Sequence, residues 1–138
     1  MAAKSAGYSG TPLVKKLGIK ERMSVLPLRA PEDYRALLAP LPPGVSFVAA
    51  PGAAVDVAHV FATQKTRLLA DLKVLRKRLR PDAVVWVSWP KQAAKLASEV
   101  SEGTIRELAL PLGFVDIKVC AVNDIWSGLK LVVRKELR

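Results

Sequence analysis

The side-chain types that acyl transfer needs, a nucleophile, a base and an orienting acid, occur at Ser88, His59 and Asp56. His59 is the single histidine of the chain and stands in the apolar run Val55–Phe61, while Ser88 stands in another, Ala83–Trp89 (AVVWVSW). Side chains alternate across a strand, so Asp56 and His59, three positions apart, point to opposite faces. No nucleophile-elbow motif surrounds Ser88. The residue types are therefore present without the spacing of a hydrolase, and His59 within VAHVF reads as a hydrogen-bonded core residue. Cys120 within KVCAV reads as a small buried apolar group. A lone cysteine forms no internal disulfide, and one cysteine with one histidine makes no zinc cluster. No catalytic residue and no metal ligand is assigned.

Binding is a different matter. Open α/β sheets hold ligands beyond the carboxyl ends of their strands, here the loops after Leu28, Phe61 and Trp89. Arg29, Thr63, Ser88, Trp89 and Lys91 fall there. Arg29 and Lys91 suit an anion and Trp89 suits a planar ring, against the weightier reading that Trp89 plugs the sheet and both cations are solvated. Trp126 and Lys130, with Ser127 and Gly128, lie in or beside a terminal hairpin loop and suit a partner or a nucleobase, or else Trp126 packs over the sheet edge. Lys73, Arg76, Lys77 and Arg80 make a basic stripe able to track nucleic-acid phosphates, although such stripes are ordinarily solvated helix faces. With 22 Lys and Arg against 12 Asp and Glu, the net charge of +10 favours polyanions in general.

The elements that position these residues follow from periodicity. Gly7–Pro12 (GYSGTP) reads as an extended arm, and Leu13–Leu17 as a short basic helix ended by Gly18. Met23–Leu28 is a first strand. Pro31-Glu32-Asp33 opens a helix with Tyr34, Leu37 and Leu38 on its apolar face, and the Pro40–Gly44 segment stops it before a strand at Val45–Ala49. A strand at Val55–Phe61 follows. Thr63 is the expected N-cap of a helix running to Arg80, whose Leu68, Leu72, Leu75 and Leu79 share one stripe. Ala83–Trp89, continuously apolar, belongs in the middle of a parallel sheet. A further helix begins near Thr104, where Thr-Ile-Arg-Glu has capping-box spacing, and ends at Pro111–Gly113. Phe114–Val122 and Leu129–Arg134 form an antiparallel hairpin around Asn123, Asp124 and Gly128.

This order implies an α/β fold: a mostly parallel sheet, helices on both faces, and a C-terminal antiparallel hairpin. One junction resists it. Pro51–Ala54 is too short for the usual crossover between parallel strands, so either an extended link crosses the sheet or Val45–Ala49 is a short edge element. A chain of 138 residues suits one core, with residues 1–22 an arm and short helix and 23–138 the α/β domain. Neither a membrane-length apolar stretch nor a secretory signal at MAAKSAGYSG is present, so a cytoplasmic protein is expected.

A terminal hairpin after a parallel sheet resembles the class I S-adenosylmethionine-dependent methyltransferases, a Rossmann-like fold, here with one strand and helix unit missing. Val55-Asp56-Val57 is similar to that family's fourth strand. GYSGTPL, LGIK, VSWPK and WSGLKLV, at residues 7, 17, 87 and 126 onward, resemble a bacterial family of small proteins that carries no activity to transfer. In the methyltransferases the first strand leads into a glycine-rich turn that lets the backbone approach the cofactor, and an acid after the second strand holds the ribose. Here Leu26–Pro31 (LPLRAP) has no glycine, and Ala49-Ala50-Pro51-Gly52 has no acid. The expectation is a non-catalytic binding or interaction domain on a degenerate methyltransferase-like scaffold, with an anionic small molecule or nucleic acid as partner and no cofactor. The alternatives are a divergent methyltransferase and a nucleic-acid-associated basic protein.

Overall fold

The computed structural model describes residues 10–138, so the first part of the expected arm, Gly7–Ser9, lies outside the described residues. Among the described residues six strands form one sheet in the order β2-β1-β3-β4-β6-β5. They are β1 (Ser24–Leu28), β2 (Ser46–Phe47), β3 (Val57–Phe61), β4 (Val84–Pro90), β5 (Phe114–Ala121) and β6 (Trp126–Val133). The pairs β1/β2, β1/β3 and β3/β4 are parallel, and β6 enters antiparallel between β4 and β5. The α-helices that flank the sheet among the described residues are α1 (Leu13–Lys16), α2 (Tyr34–Leu38), α3 (Lys65–Arg78) and α4 (Glu102–Ala109). The fold is the mostly parallel, methyltransferase-like α/β sheet that the order of elements implies.

Strand alternation divides the apolar residues into two cores. Ala58, Val60, Val85 and Val87 face α3 and α4, where Leu68, Leu72, Leu75 and Ile105 bury against them. Val57, Phe61 and Trp86 face α1 and α2 and meet Leu13, Leu17, Tyr34 and Leu38. Trp86 also donates its indole N–H to the Leu17 carbonyl at 3.0 Å, which ties α1 to the sheet.

The short junction is explained by the length of β2. Two residues of strand rise only about 7 Å, so the return from its carboxyl end to the start of β3 is short enough for an extended link. The link stays pinned to β1: Val48 N donates to Val25 O and Asp56 N to Ser24 O, both at 2.9 Å, while Asp56 Oδ2 accepts from Ser24 N at 2.8 Å. Pro27 is tolerated in β1 because β2 pairs only with Ser24 and Val25, so no ladder donor is lost beside Pro27 on that side.

Three local expectations are corrected. Thr63 does not cap α3: Gln64 precedes the helix without a side-chain cap, and the Lys65 N–H instead donates to Glu99 Oε1 at 2.8 Å, a carboxylate brought by a distant loop to the positive end of the helix. The capping box of α4 is Ser101 with Thr104, not Thr104 with Glu107, so the helix starts earlier, at Glu102. Gly128 is inside β6 and not in the hairpin loop, because the Trp86 ring lies against it: a Cβ there would stand 3.3 Å from Trp86 Cε3. The turn itself is closed by Asn123 Oδ1, which accepts from the Ile125 and Trp126 N–H groups at 2.9 and 2.8 Å. Among the described residues no helix is long and apolar enough to cross a membrane.

Candidate functional site

The carboxyl ends of β1 and β3 open onto a cavity of about 150 Å³ lined by Arg29, Phe61, Thr63, Gln64, Arg67, Asp71 and Trp126, among others. Arg29 follows β1 directly and takes a left-handed backbone, φ +57°, where an L side chain is strained. Its Nη2 donates to Asp71 Oδ1 at 2.7 Å from across the opening. Burial raises the Asp71 pKa above the usual carboxylate value, against the pull of Arg29 and Arg67, and Asp71 Oδ2 is buried without a hydrogen-bond partner. Phe61 and Trp126 meet edge to face at 5.1 Å and form an aromatic wall.

The structure brings three of the sequence-derived ligand candidates together here: Arg29, Thr63 and Trp126. Trp89 and Lys91 lie elsewhere, in a cleft of about 380 Å³ whose walls also carry Glu99 and Glu102, so the Arg29–Lys91 clamp around an anion does not form. Trp89 is half-buried and packs against the α3/α4 core. Lys130 is the register partner of both Trp86 and Lys118, on the α1 face of the sheet. The helix stops at Arg78 and not at Arg80, because Leu79 is already extended; of the basic stripe, Arg80 therefore lies past the end of α3, held by Asp56 and Asp82 at 2.9 and 3.1 Å, and Arg76 donates to the Leu112 carbonyl at 3.1 Å. Lys73 and Lys77 remain exposed.

Ser88 is fully buried and faces the interior. Its Oγ stands 2.7 Å from His59 Nε2, and Tyr34 Oη stands 2.8 Å from His59 Nδ1. In one tautomer Tyr34 donates to Nδ1 and Nε2–H donates to Ser88, and in the other both bonds reverse, so either satisfies all three groups. Burial holds the imidazole pKa down at about 3 and pushes the Tyr34 phenol up. Phe61 stacks on the imidazole at 4.4 Å between centroids. Asp56 takes no part, being engaged by Ser24 and Arg80. The array is a sealed, satisfied core network. Tyr34 was missed as its third member because 25 residues separate it from His59; Arg67 and Asp71 were missed because they lie outside both the leucine stripe and the basic stripe of α3, where no local pattern singles them out.

Comparison with known proteins places the fold. No family model matches the chain, and no curated protein matches it. Many solved structures do. The mitomycin 7-O-methyltransferase aligns over 81% of this chain and 49% of its own, with a TM-score of 0.62 at 11% identity. The pyocyanin biosynthetic protein PhzM aligns over 88% and 53%, with a TM-score of 0.67 at 11% identity. A SAM-dependent methyltransferase from Aquifex aeolicus aligns over 88% and 87%, with a TM-score of 0.54 at 16% identity. The chain has the S-adenosylmethionine-dependent methyltransferase fold, and it spans about half the length of the mitomycin enzyme.

That fold implies S-adenosylmethionine at the carboxyl end of β1, and the residues present do not fit it. Where the backbone must approach the cofactor, Arg29 carries a side chain bonded across the opening. After β2 stand Val48, Ala49 and Ala50, with no carboxylate for a ribose. A cavity near 150 Å³ is the size that holds a benzene ring, below the roughly 300 Å³ at which ligand clefts begin.

Proposed function

We propose that the chain is a non-catalytic binding domain on a degenerate methyltransferase-like scaffold, and that the cavity after β1 and β3 takes a compact anion. The observation that carries this is the Arg29–Asp71 bridge over a cavity of about 150 Å³. Arg29 and Arg67 supply guanidinium donors suited to a carboxylate or phosphate, Thr63 and Gln64 add neutral hydrogen-bonding groups, and Phe61 and Trp126 give one apolar wall. The only neighbouring acid, Asp71, is already bonded to Arg29 among the described residues of the cavity wall. Thermal unfolding with inorganic phosphate and with benzoate tests the reading. Either anion is expected to raise the Tm of the native protein and to leave that of Arg67→Ala unchanged; an equal shift in both proteins, or none in either, refutes it.

The fold neighbours favour a second reading, a divergent S-adenosylmethionine-dependent methyltransferase. It requires the cofactor to enter by contacts other than the β1 turn, and it predicts saturable binding of that cofactor.

A further inference from the structure

Lysines crowd one face of the sheet without acids to offset them. Across the β5/β6 ladder Lys118 stands directly opposite Lys130, on the α1 face, and like charges directly opposite one another destabilise a sheet. Lys15 and Lys16 approach from α1, and with Lys118, Cys120 and Ser127 they line a groove of about 580 Å³, within the roughly 300–1,000 Å³ of ligand clefts. Two observations fix the convergence. Lys16 Nζ donates to the Ala121 carbonyl at 3.3 Å, which ties the α1 wall to β5. Burial raises the pKa of the Cys120 thiol, and Lys16 and Lys118 both pull it back down, so the two ammonium groups act on one point.

The charge of the groove is one-sided, for no carboxylate lines it. Among the described residues Lys15, Lys118 and Lys130 make no ion pair. Asp116, the acid of β5, is held by Arg106 at 2.8 Å, and residues 1–9 contain no acid. Lys16 and Lys130 are also half-buried, which reduces the water available to offset their charge.

We propose that the groove between α1 and the face of the β5/β6 hairpin is a binding site for an oligophosphate chain, held by Lys15, Lys16, Lys118 and Lys130. Ammonium groups are point charges suited to phosphate oxygens, and phosphates linked in a row concentrate negative charge where these lysines concentrate positive charge. An extended acidic peptide spreads its charge, presenting only every second side chain to one face. Thr11 and Ser127 add hydroxyl groups to the wall. No aromatic ring lines the groove, so it recognises the phosphate chain and gives an attached nucleobase nothing to stack on. Orthophosphate spans too few of the lysines to be retained.

Isothermal titration of the full chain with sodium tripolyphosphate at fixed ionic strength tests the proposal. One saturable site is expected, with orthophosphate and tetraglutamate each at least about tenfold weaker, the scale of two lost ion pairs. Adenosine triphosphate should bind within about threefold of tripolyphosphate, since the base meets no stacking platform. Lys118→Thr and Lys130→Thr, which keep strand-forming side chains, should each weaken tripolyphosphate by about two- to fivefold, the scale of one ion pair. Without ligand each should be at least as stable as the native protein in urea, because the like-charge pair is gone. The absence of saturable binding, orthophosphate or tetraglutamate binding as tightly as tripolyphosphate, or an equal loss from Lys73→Ala on α3 overturns it. Loss of tripolyphosphate binding in Arg67→Ala would put the chain in the Arg29 cavity and overturn it as well. The groove is separate from that cavity, so its failure leaves the compact-anion reading standing.

Discussion

Replacing His59 with glutamine removes the only imidazole of the chain and should flatten the acid limb of its stability curve. In the folded protein the imidazole is wholly buried and its pKa is held at about 3, against about 6.5 in an unfolded chain. Between those values the unfolded chain binds a proton that the folded chain refuses, so stability is full above pH 6.5 and falls as the pH drops toward 3. The loss is about 1.4 kcal/mol for each pH unit, roughly 3 kcal/mol by about pH 4.5, a large part of the 5–15 kcal/mol typical of a domain. Glutamine keeps a donor and an acceptor but does not titrate, so His59→Gln should start roughly 1–3 kcal/mol less stable at neutral pH, through imperfect bonds to Tyr34 and Ser88. It should then lose correspondingly less on acidification, the carboxylates being common to both proteins. Urea unfolding of the two proteins between pH 7 and about 4.5 measures the difference directly. Parallel stability curves, or an imidazole NMR titration near 6.5 in the folded protein, would refute the sealed-network account.

Two further substitutions probe the frame around the sites. Trp86→Phe leaves the Leu17 carbonyl without its 3.0 Å donor and opens space beneath α1. It should cost roughly 2–4 kcal/mol in urea unfolding and speed tryptic cleavage after Lys15 and Lys16. Gly113→Ala should cost at least about 1–2 kcal/mol by the same assay, because φ is +103° there and the new Cβ would stand 2.9 Å from Leu137 Cδ1 and 3.1 Å from Arg76 Nε; a neutral effect would mean that the turn before β5 is not the constraint it looks.

The layout of the sheet was legible because it rests on local periodicity. The apolar run AVVWVSW could only be a covered strand, and the leucine stripe of α3 only a helix laid on one face of the sheet. What escaped was long-range. Glu99 reaches Lys65 from 34 positions away to cap α3, where a nearby threonine had offered itself. Gly128 carries the ordinary sign of a loop and is instead the space that the Trp86 ring occupies. In the candidate site Arg29 was found through its position after the first strand. Its partner Asp71 lies within a helix of basic and leucine residues, where a single acid gives no sign that it turns toward a cavity. The separation of Lys91 from Arg29 depends on where the loop after β4 folds, and no sequence pattern encodes that. Tyr34 was legible as part of an apolar helix face and not as a phenol aimed at His59.

The proposed binding role requires that Arg29 and its bridge to Asp71 close the end of β1 against a nucleoside-bearing cofactor. Isothermal titration of the protein with S-adenosylmethionine and with S-adenosylhomocysteine, each carried to millimolar concentration, tests it most directly. Neither compound is expected to give saturable heat. Saturable binding of either one would contradict it and restore the methyltransferase reading.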